Sequence, residues 1–583
     1  MSTNASSVPG GLDAAGLQVL IARLSGVAEE MGVVLQRAAF SPNIKERADC
    51  SAAVFDPRGR MLAQAEHIPV HLGSMPASVS AVIDALGSRL GPGRQAIVND
   101  PFAGGTHLND ITVVAPCFSD SGELVGWVAN RAHHADVGGS APGSIPADAT
   151  EIHAEGLRIP PVVLTDEVRD LLLANSRTPA ERSGDLAAQC GANEVGARRL
   201  AELASEPFAE VLAHGRRRAE SVLAALPEGT WHASDVLDST GPDPRQQRPA
   251  HLELRVTVGG AGSERRITFD FTGTDAQRPG TTNAVRAVTV SAVAYALRAA
   301  LDPTLPANDG VMEHVHVVTE AGSLVDATGG VAVGAGNVEV SQRVADLCQA
   351  ALAQVVPARV PAAGQGTMNN TLVGGADWVY YETVGGGQGG RPPAPSVPGA
   401  PALPGMSGVH TGMTNTDQVD HRSAAAVPGQ SGIHTCMTNS DQVDYRSAEP
   451  RPGQSGTHTA MTNTRNTPIE ALERAFPLRV LRYRLRRGSG GAGWSAGGEG
   501  IERDLQVLED ATVSLITERR VSQPWGLAGG EPGAVGENWL LPGGHEARAE
   551  RLPDKCTIQL KAGDVLRMLT PGGGGWGRPS PSG

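Results

Sequence analysis

Residues 99–139 read NDPFAGGTHLNDITVVAPCFSDSGELVGWVANRAHHADVGG. Two apolar runs, 111–116 and 124–129, lie on either side of SDSG at 119–122, a sequence typical of a tight turn. The pattern predicts a β-hairpin. Because the chain goes out along the first strand and returns along the second, we expect His107 and His133 to lie at the same end of it.

Acidic residues accompany both histidines. Asp110 follows His107 by three positions, and Asp136 follows the pair His133 and His134. Two imidazoles and a carboxylate form a ligand set suited to Zn²⁺, Mn²⁺ or Fe²⁺. Asp49, in ERADCS before another strand-like run, could supply a second carboxylate. Buried histidines and acids that serve only structure give the same spacing, and both interpretations stay open at this point.

Neighbouring side chains on a strand point in opposite directions, so at most one of His133 and His134 is expected to bind a metal. His67 and His71 lie four positions apart in EHIPVHLGSM, where they could line a pocket or lie on the surface. Two other reactive residues are weaker candidates. Ser495 in GWSAG lacks the strand and helix that flank a nucleophile elbow. Cys50 is more typical of a packed thiol than of a nucleophile.

The rest of the chain alternates helical and strand-like patterns. Residues 13–39 and 167–226 have helical periodicity, 285–301 read as a buried helix, and residues from 251 and from 478 onward alternate as strands do. We predict a mixed α/β (α+β), multi-domain protein of β-sheets and packed helices, with a β-rich, glycine-rich C-terminal region. The expected units are an N-terminal α/β domain with the metal site (1–228), a central α/β domain (229–390), a Gly/Pro-rich insertion (391–457) and the C-terminal region (458–583).

Composition excludes several functions. The 583 residues carry a formal net charge of −14, which argues against a nucleic-acid partner. The sequence has no apolar run of membrane-spanning length, and residues 1–11 lack the pattern of a secretory signal. The six cysteines are scattered, so a cytoplasmic location is expected. Only three residues are lysine, and no P-loop occurs, so any ATP used must be bound elsewhere.

Glycine is in excess, at 73 residues. Some glycines flank the histidine motifs or form runs such as GSGGAG and PGGGG, where close backbone approach is the expected need. Others belong to a repeat: SGVHTGMTN, SGIHTCMTN and SGTHTAMTN place His410, His434 and His458 at a period of 24 residues. Three copies with few apolar residues cannot bury a solenoid core, so we interpret them as a tandem duplication in a surface loop.

Ordered motifs along nearly the whole chain carry a family resemblance. They include SPNIKERADC, NDPFAGGTHLNDITVV, NRAHHADVGG, FDFTGTDAQRPGTTN, GNVEVSQRVAD, MTNTRNTPIEALE, RRGSGGAGWSAGGEGIERDL and TPGGGGWG. The chain resembles the hydantoinase B/5-oxoprolinase family, which includes N-methylhydantoinase B subunits and is related to an acetone carboxylase subunit. The third repeat copy, at His458, continues into the family-like RNTPIEALE and is the best equivalent of the family's single segment.

The resemblance implies a function. Such a subunit works in a hetero-oligomer with a hydantoinase A-type partner that binds ATP and phosphorylates a small cyclic amide, hydantoin or 5-oxoproline, whose ring this subunit then opens with metal-activated water. Carried over by motif, Asp49, His107, Asp110 and His133 are the expected ligands of a divalent metal. The resemblance makes further residues candidates for the substrate pocket or for support of the ligands: Glu46, His67, His71, His134, Asp136 and Glu155. Two alternatives remain, an acetone-carboxylase-like carboxylase subunit and a scaffold without metal.

Overall fold

A computed structural model describes residues 12–65, 68–243, 246–393 and 451–579. Its α-helices are α1 Ala14–Ala38, α2 Pro42–Lys45, α3 Ser74–Leu86, α4 Asp166–Asn175, α5 Pro179–Ala201, α6 Phe208–Ala224, α7 Arg286–Leu301, α8 Asp309–Met312, α9 Ser341–Val355 and α10 Ile469–Ala475. The helix predicted from residue 13 is confirmed, and the Asp13 side chain caps it by accepting a hydrogen bond from Gly16 N at 2.7 Å. Within the described ranges, no helix is both long and apolar enough to cross a membrane.

The strands of the N-terminal half are β1 Cys50–Phe55, β2 Met61–Ala65, β3 Ala96–Val98, β4 Asp110–Phe118, β5 Leu124–His133, β6 Val162–Val163, β7 Gly229–Leu237, β8 Ala250–Gly259, β9 Arg266–Asp270 and β10 Val315–Val318. The remaining strands are β11 Asn370–Gly374, β12 Val379–Glu382, β13 Leu478–Arg486, β14 Gly500–Val507, β15 Ala511–Ile516, β16 Glu537–Leu541, β17 Glu550–Leu552, β18 Lys555–Leu560 and β19 Val565–Leu569. Helices and several separate sheets together confirm the predicted mixed α/β class.

The predicted hairpin is the centre of a six-stranded sheet of order β2-β1-β5-β4-β3-β6. Strands β4 and β5 pair antiparallel, and their register sets Asp110 opposite His133. Apolar residues of α1, including Leu20 and Leu24, pack on one face of this sheet. Those of α3, including Val79, pack on the other. Because both faces are covered, the strands are buried throughout, and the polar residues at the end of the hairpin lie deep in the protein.

Three further sheets follow. A four-stranded sheet, β10-β9-β8-β7, packs its apolar residues with those of α7 and α9, and the prediction of a buried helix at 285–301 is confirmed. The sheet β12-β11-β15-β18 takes strands from both sides of residues 394–450, which lie outside the described ranges. The fourth sheet has the order β13-β14-β19-β16-β17. The proposed domain boundaries stay a prediction.

A layer built almost without side chains joins these parts, and we call it the glycine layer: residues 385–391, 451–456, 489–500, 524–536 and 570–577. Its segments are linked by backbone hydrogen bonds such as Gly390 N to Gly574 O at 2.8 Å, Gly491 N to Gly573 O at 2.8 Å and Gly575 N to Glu531 O at 2.8 Å. A Cβ atom on Gly573 would lie 2.1 Å from the carbonyl oxygen of Gln388. Only glycine permits such an approach, which accounts for much of the glycine excess.

Candidate metal centre

The end of the β4–β5 hairpin gathers three potential ligands. His107 Nδ1 lies 3.2 Å from Asp110 Oδ2, and His133 Nδ1 lies 3.4 Å from Asp110 Oδ1. One ligand atom from each of these residues can be chosen so that all three lie within 4.8 Å of one another. Ligands bound tetrahedrally at about 2.1 Å lie roughly 3.4 Å apart, so this arrangement fits one ion with little movement. The expectation that both histidines share one end of the hairpin is confirmed.

His71 joins this group from a short helical turn at Pro69–His71. Its Nε2 lies 3.4 Å from Asp110 Oδ2, and its Nδ1 lies 2.9 Å from Ser51 Oγ. Thr106 donates a hydrogen bond to Asp110 Oδ2 at 2.6 Å. Asp110 is therefore the hub of the cluster, since three imidazoles and a hydroxyl all contact its carboxylate.

Burial and charge set the protonation states in the cluster. Burial alone would raise the pKa of Asp110, but the charge of His107 and the hydrogen bonds from His107, His133 and His71 hold it well below its usual value. Burial lowers the pKa of His133 to about 3 and also lowers the pKa of His71. At neutral pH the cluster therefore combines an ionised carboxylate with neutral imidazoles, which are the forms that bind metals.

Asp49 lies beside this group, at the end of the neighbouring strand. Its carbonyl oxygen accepts a hydrogen bond from His133 N at 3.0 Å, and its side chain lines the same cavity as His71, Asp110 and His133. Burial raises the pKa of Asp49 to about 7, against the opposing charge of Arg47. The Asp49 carboxylate is not one of the three groups that lie within 4.8 Å of one another.

Two residues from distant parts of the chain complete the cluster, and sequence reasoning missed both. Asn337 Nδ2 lies 3.1 Å from His107 Nδ1 and 3.4 Å from Asp110 Oδ2. It lies on a π-helical turn, Gly336–Val340, of a kind frequent at functional sites. Tyr381, on β12, stacks on His133. GNVEVSQRVAD contained Asn337 as a family-like motif, which was the available signal; nothing in the sequence pointed to Tyr381.

The other predicted site residues lie elsewhere or outside the described ranges. His134 turns away from the cluster, and its Nε2 lies 2.9 Å from Gln189 Oε1. Asp136 is buried but pairs with Arg177 at 2.9 Å. Glu46 is half-buried, and its charge acts on Arg465. His67 lies outside the described residues, as do the first two repeat copies except their flanks.

Glu155 lies behind the cluster rather than in it. Its carboxylate accepts hydrogen bonds from Val333 N, from Gly334 N at 2.7 Å and from Thr281 Oγ1 at 2.9 Å. Burial raises its pKa to about 7, although these bonds and the charge of His107 oppose the change. Glu155 thus holds the 333–334 loop, which leads into the π-helical turn that carries Asn337.

A cavity of about 20 Å³ adjoins the cluster. It is lined by Asp49, Ile68, Val70, His71, Asp110, His133, Asn337, Val338, Met368, Tyr381, Thr383, Met461, Thr462 and Thr464. His133 Nε2 is buried and has no hydrogen-bond partner among the described residues. An unpaired buried nitrogen beside an ionised carboxylate and a second imidazole is a donor set that a divalent ion satisfies, so the residues present fit such a metal.

The sequence matches the family model described as Hydantoinase B/oxoprolinase over residues 13–421 and 446–579. The unmatched stretch, 422–445, equals one 24-residue repeat. A Methanocaldococcus jannaschii protein, MJ0963, is 37% identical and aligns over 97% of this chain and 91% of its own length. 5-Oxoprolinase 1 of Arabidopsis thaliana is 33% identical over 97% of this chain, which spans 42% of that enzyme. The putative B chain of a D-/L-hydantoinase from a Pseudomonas species is 29% identical, with 97% and 90% covered.

Two solved structures share the fold. An ATP-dependent caprolactamase from Pseudomonas jessenii superposes with a TM-score of 0.79 at 24% identity, covering 98% of this chain and 93% of that one. An acetone carboxylase superposes with a TM-score of 0.78 at 18% identity, covering 97% and 75%. At these identities the likeness concerns the architecture alone.

Proposed function

The chain belongs to the hydantoinase B/oxoprolinase family, and from that premise we propose that it opens a cyclic amide ring, hydantoin or 5-oxoproline, at a divalent metal centre. The ligands proposed are His107, Asp110 and His133, with Asp49 as a fourth. One observation carries the proposal: the hairpin brings potential ligand atoms of His107, Asp110 and His133 within 4.8 Å of one another, in a buried cluster beside a cavity.

The chemistry explains why activation is needed. Resonance makes the carbonyl of an unstrained lactam a poor electrophile, and phosphorylation of its oxygen converts that oxygen into a leaving group. A divalent ion bound here would supply a water molecule of lowered pKa as the nucleophile. The chain's own residues hold that ion through the ionised Asp110 and neutral imidazoles, orient His133 through Tyr381, and exclude bulk water by burying the cluster.

We further propose that ATP is bound by a separate hydantoinase A-type protein. The sequence has no P-loop, and the chain spans 40–42% of three 5-oxoprolinases but 90% of the Pseudomonas hydantoinase chain. These proportions support a chain that corresponds to one part of a larger enzyme, with the complementary part on a partner. The activity proposed is therefore that of the complex.

Co-expression of the full chain with a hydantoinase A-type ATP-binding protein tests the proposal. We expect a purified complex with about one divalent ion per chain, detected by inductively coupled plasma mass spectrometry, and ATP-dependent opening of hydantoin or 5-oxoproline. His107→Gln should lose the ion and the activity. The exposed His153→Gln is the matched control and should keep both. A wild-type chain without metal, or a His107 variant that retains it, would contradict the ligand assignment.

The same preparation separates the alternative reaction. Incubation with acetone, bicarbonate and ATP should give no carboxylated product. Carbon–carbon bond formation without ring opening would instead assign the complex to the acetone-carboxylase type.

A further inference from the structure

Arg47 is a fully buried cation with an unusual set of partners. Its Nε donates to the carbonyl oxygen of Arg465, and its Nη1 donates to Asn43 Oδ1 at 2.7 Å and to the carbonyl oxygen of Tyr381 at 3.0 Å. Its Nη2 donates to Thr383 Oγ1 at 2.9 Å and to Thr464 Oγ1 at 3.2 Å. All five N–H groups are thus used on neutral acceptors, and no carboxylate among the described residues forms an ion pair with it.

The two threonines that Arg47 contacts face the cavity, together with a third. Thr383, Thr462 and Thr464 all line it. Thr383 Oγ1 lies 2.8 Å from Thr464 Oγ1, which lies 3.3 Å from Thr462 Oγ1. We call these three residues the threonine wall.

The wall has more protons than internal acceptors. Three hydroxyls carry three protons, and the two contacts between them use two. Thr383 and Thr464 already accept hydrogen bonds from Arg47, so their own protons must point elsewhere. At least one O–H group is therefore free to donate into the cavity, and the guanidinium behind it strengthens that donor by polarising it.

Charges around the cavity favour an anionic ligand once metal is bound. Two buried carboxylates, Asp49 and Asp110, are balanced by two buried guanidiniums, Arg47 and Arg131. Arg131 also donates only to neutral groups, among them Thr112 Oγ1 and Ser78 Oγ. Adding a divalent ion leaves two uncompensated positive charges in a site shielded from solvent, where a counter-charge is strongly favoured.

We propose that the threonine wall, polarised by Arg47, is an oxyanion subsite that binds the phosphoryl group of the activated substrate next to the metal centre. This inference rests on the proposed function for its metal ion. The cavity of about 20 Å³ has room for a single oxygen atom, whereas a whole substrate requires the wall to move. Arg47 acts through Thr383 and Thr464 and is a positioning residue.

Titration of the metal-loaded full chain with inorganic phosphate, followed by isothermal titration calorimetry, tests the subsite. We expect Thr383→Val and Thr464→Val to weaken phosphate binding at least about tenfold, because each loses a hydroxyl that serves a charged ligand. Thr464→Ser, which keeps the hydroxyl, should restore binding. Thr371→Val is the matched control on β11, since that buried hydroxyl does not line the cavity. Metal content must be equal in all variants.

A second measurement keeps the proposal testable if a valine variant fails to fold. The ³¹P relaxation of inorganic phosphate should be strongly enhanced by the Mn²⁺-loaded wild-type chain. Absence of that enhancement, no phosphate binding by the wild type, or unchanged binding in both valine variants would overturn the subsite.

A carboxylate could use the same donors, so the probes include 5-oxoproline, which carries one, and hydantoin, which does not. If the valine variants weaken 5-oxoproline binding and leave phosphate binding unchanged, the phosphoryl assignment is wrong. A wild type that binds phosphate through the wall but opens no ring with its partner and ATP would refute the proposed function and leave the subsite standing.

Discussion

The phenol ring of Tyr381 lies flat against the imidazole of His133, with the ring centroids 4.4 Å apart and the planes inclined by 13°. The Tyr381 hydroxyl donates to Asn370 Oδ1 at 2.9 Å, and Asn370 Nδ2 donates to Glu339 Oε1 at 2.9 Å. The orientation of one candidate ligand is thus fixed by a strand of another sheet.

Substitution of Tyr381 tests this support. Tyr381→Leu should weaken metal binding by roughly tenfold or more, because residues that orient a ligand contribute at that level. Tyr381→Phe keeps the stacked ring and should bind metal nearly as well as the wild type. Competition with a chromophoric chelator measures both affinities. Equal affinity in the leucine variant would show that stacking does not orient His133.

Two buried aspartates on the same segment provide a matched pair. Asp110→Asn should abolish stoichiometric metal binding, because it removes the ionised hub that three imidazoles contact. Asp136→Asn should keep the metal but lower the free energy of unfolding by about 1–3 kcal/mol, since it weakens the contact with Arg177. Elemental analysis and urea unfolding separate the effects. Metal loss in the Asp136 variant would place that residue in the site after all.

The buried acid Glu339 predicts a pH effect on stability. Burial, reinforced by the charge of Glu518, raises its pKa from 4.5 to about 8. Between those values the folded chain retains a proton that the unfolded chain releases, so the contribution of Glu339 to stability falls as the pH rises across this window. The melting temperature of the wild type should therefore drop more between about pH 5.5 and 8.5 than that of Glu339→Gln.

Glu253→Gln, at an exposed position on β8, is the control and should follow the wild type. Parallel pH profiles for the wild type and Glu339→Gln would mean that Glu339 is ionised in the fold.

The repeat gives a deletion experiment. Removing residues 407–454 deletes two 24-residue units and joins the chain directly to the third copy, which supplies Met461, Thr462 and Thr464 to the cavity. If the upstream copies are a surface insertion, the melting temperature and metal content should stay unchanged. Deleting 455–463 instead should destroy the cavity wall and metal binding. A large fall in melting temperature for the first deletion would refute the surface-loop interpretation.

Local patterns in the sequence predicted the hairpin and the meeting of His107, Asp110 and His133. Alternating apolar runs and a tight turn are properties of neighbouring residues, so spacing alone located both histidines at one end. The adjacent pair was also separable in principle, since His133 faces the cluster and His134 bonds Gln189.

Long-range packing set what the sequence did not reveal. Asn337 and Tyr381 reach the cluster through a π-helical turn and through pairing of β11 with both β12 and β15, and neither contact has a local pattern. Asp136 shows the converse. Its spacing resembled that of a ligand, but the start of the next helical region supplies Arg177, which holds it away from the cluster.

The glycine layer constrains how the protein is made. Residues 570–577 bond to segments around 363, 390, 491, 498 and 531, so they occupy the middle of the layer rather than its edge. A nascent chain cannot close the layer until this stretch has emerged from the ribosome. Until then the glycine-rich segments before it are held by neither side chains nor backbone partners there. Completion of the layer, and with it the docking of β12 behind His133, is therefore a late step of biosynthesis that premature termination before residue 570 would prevent.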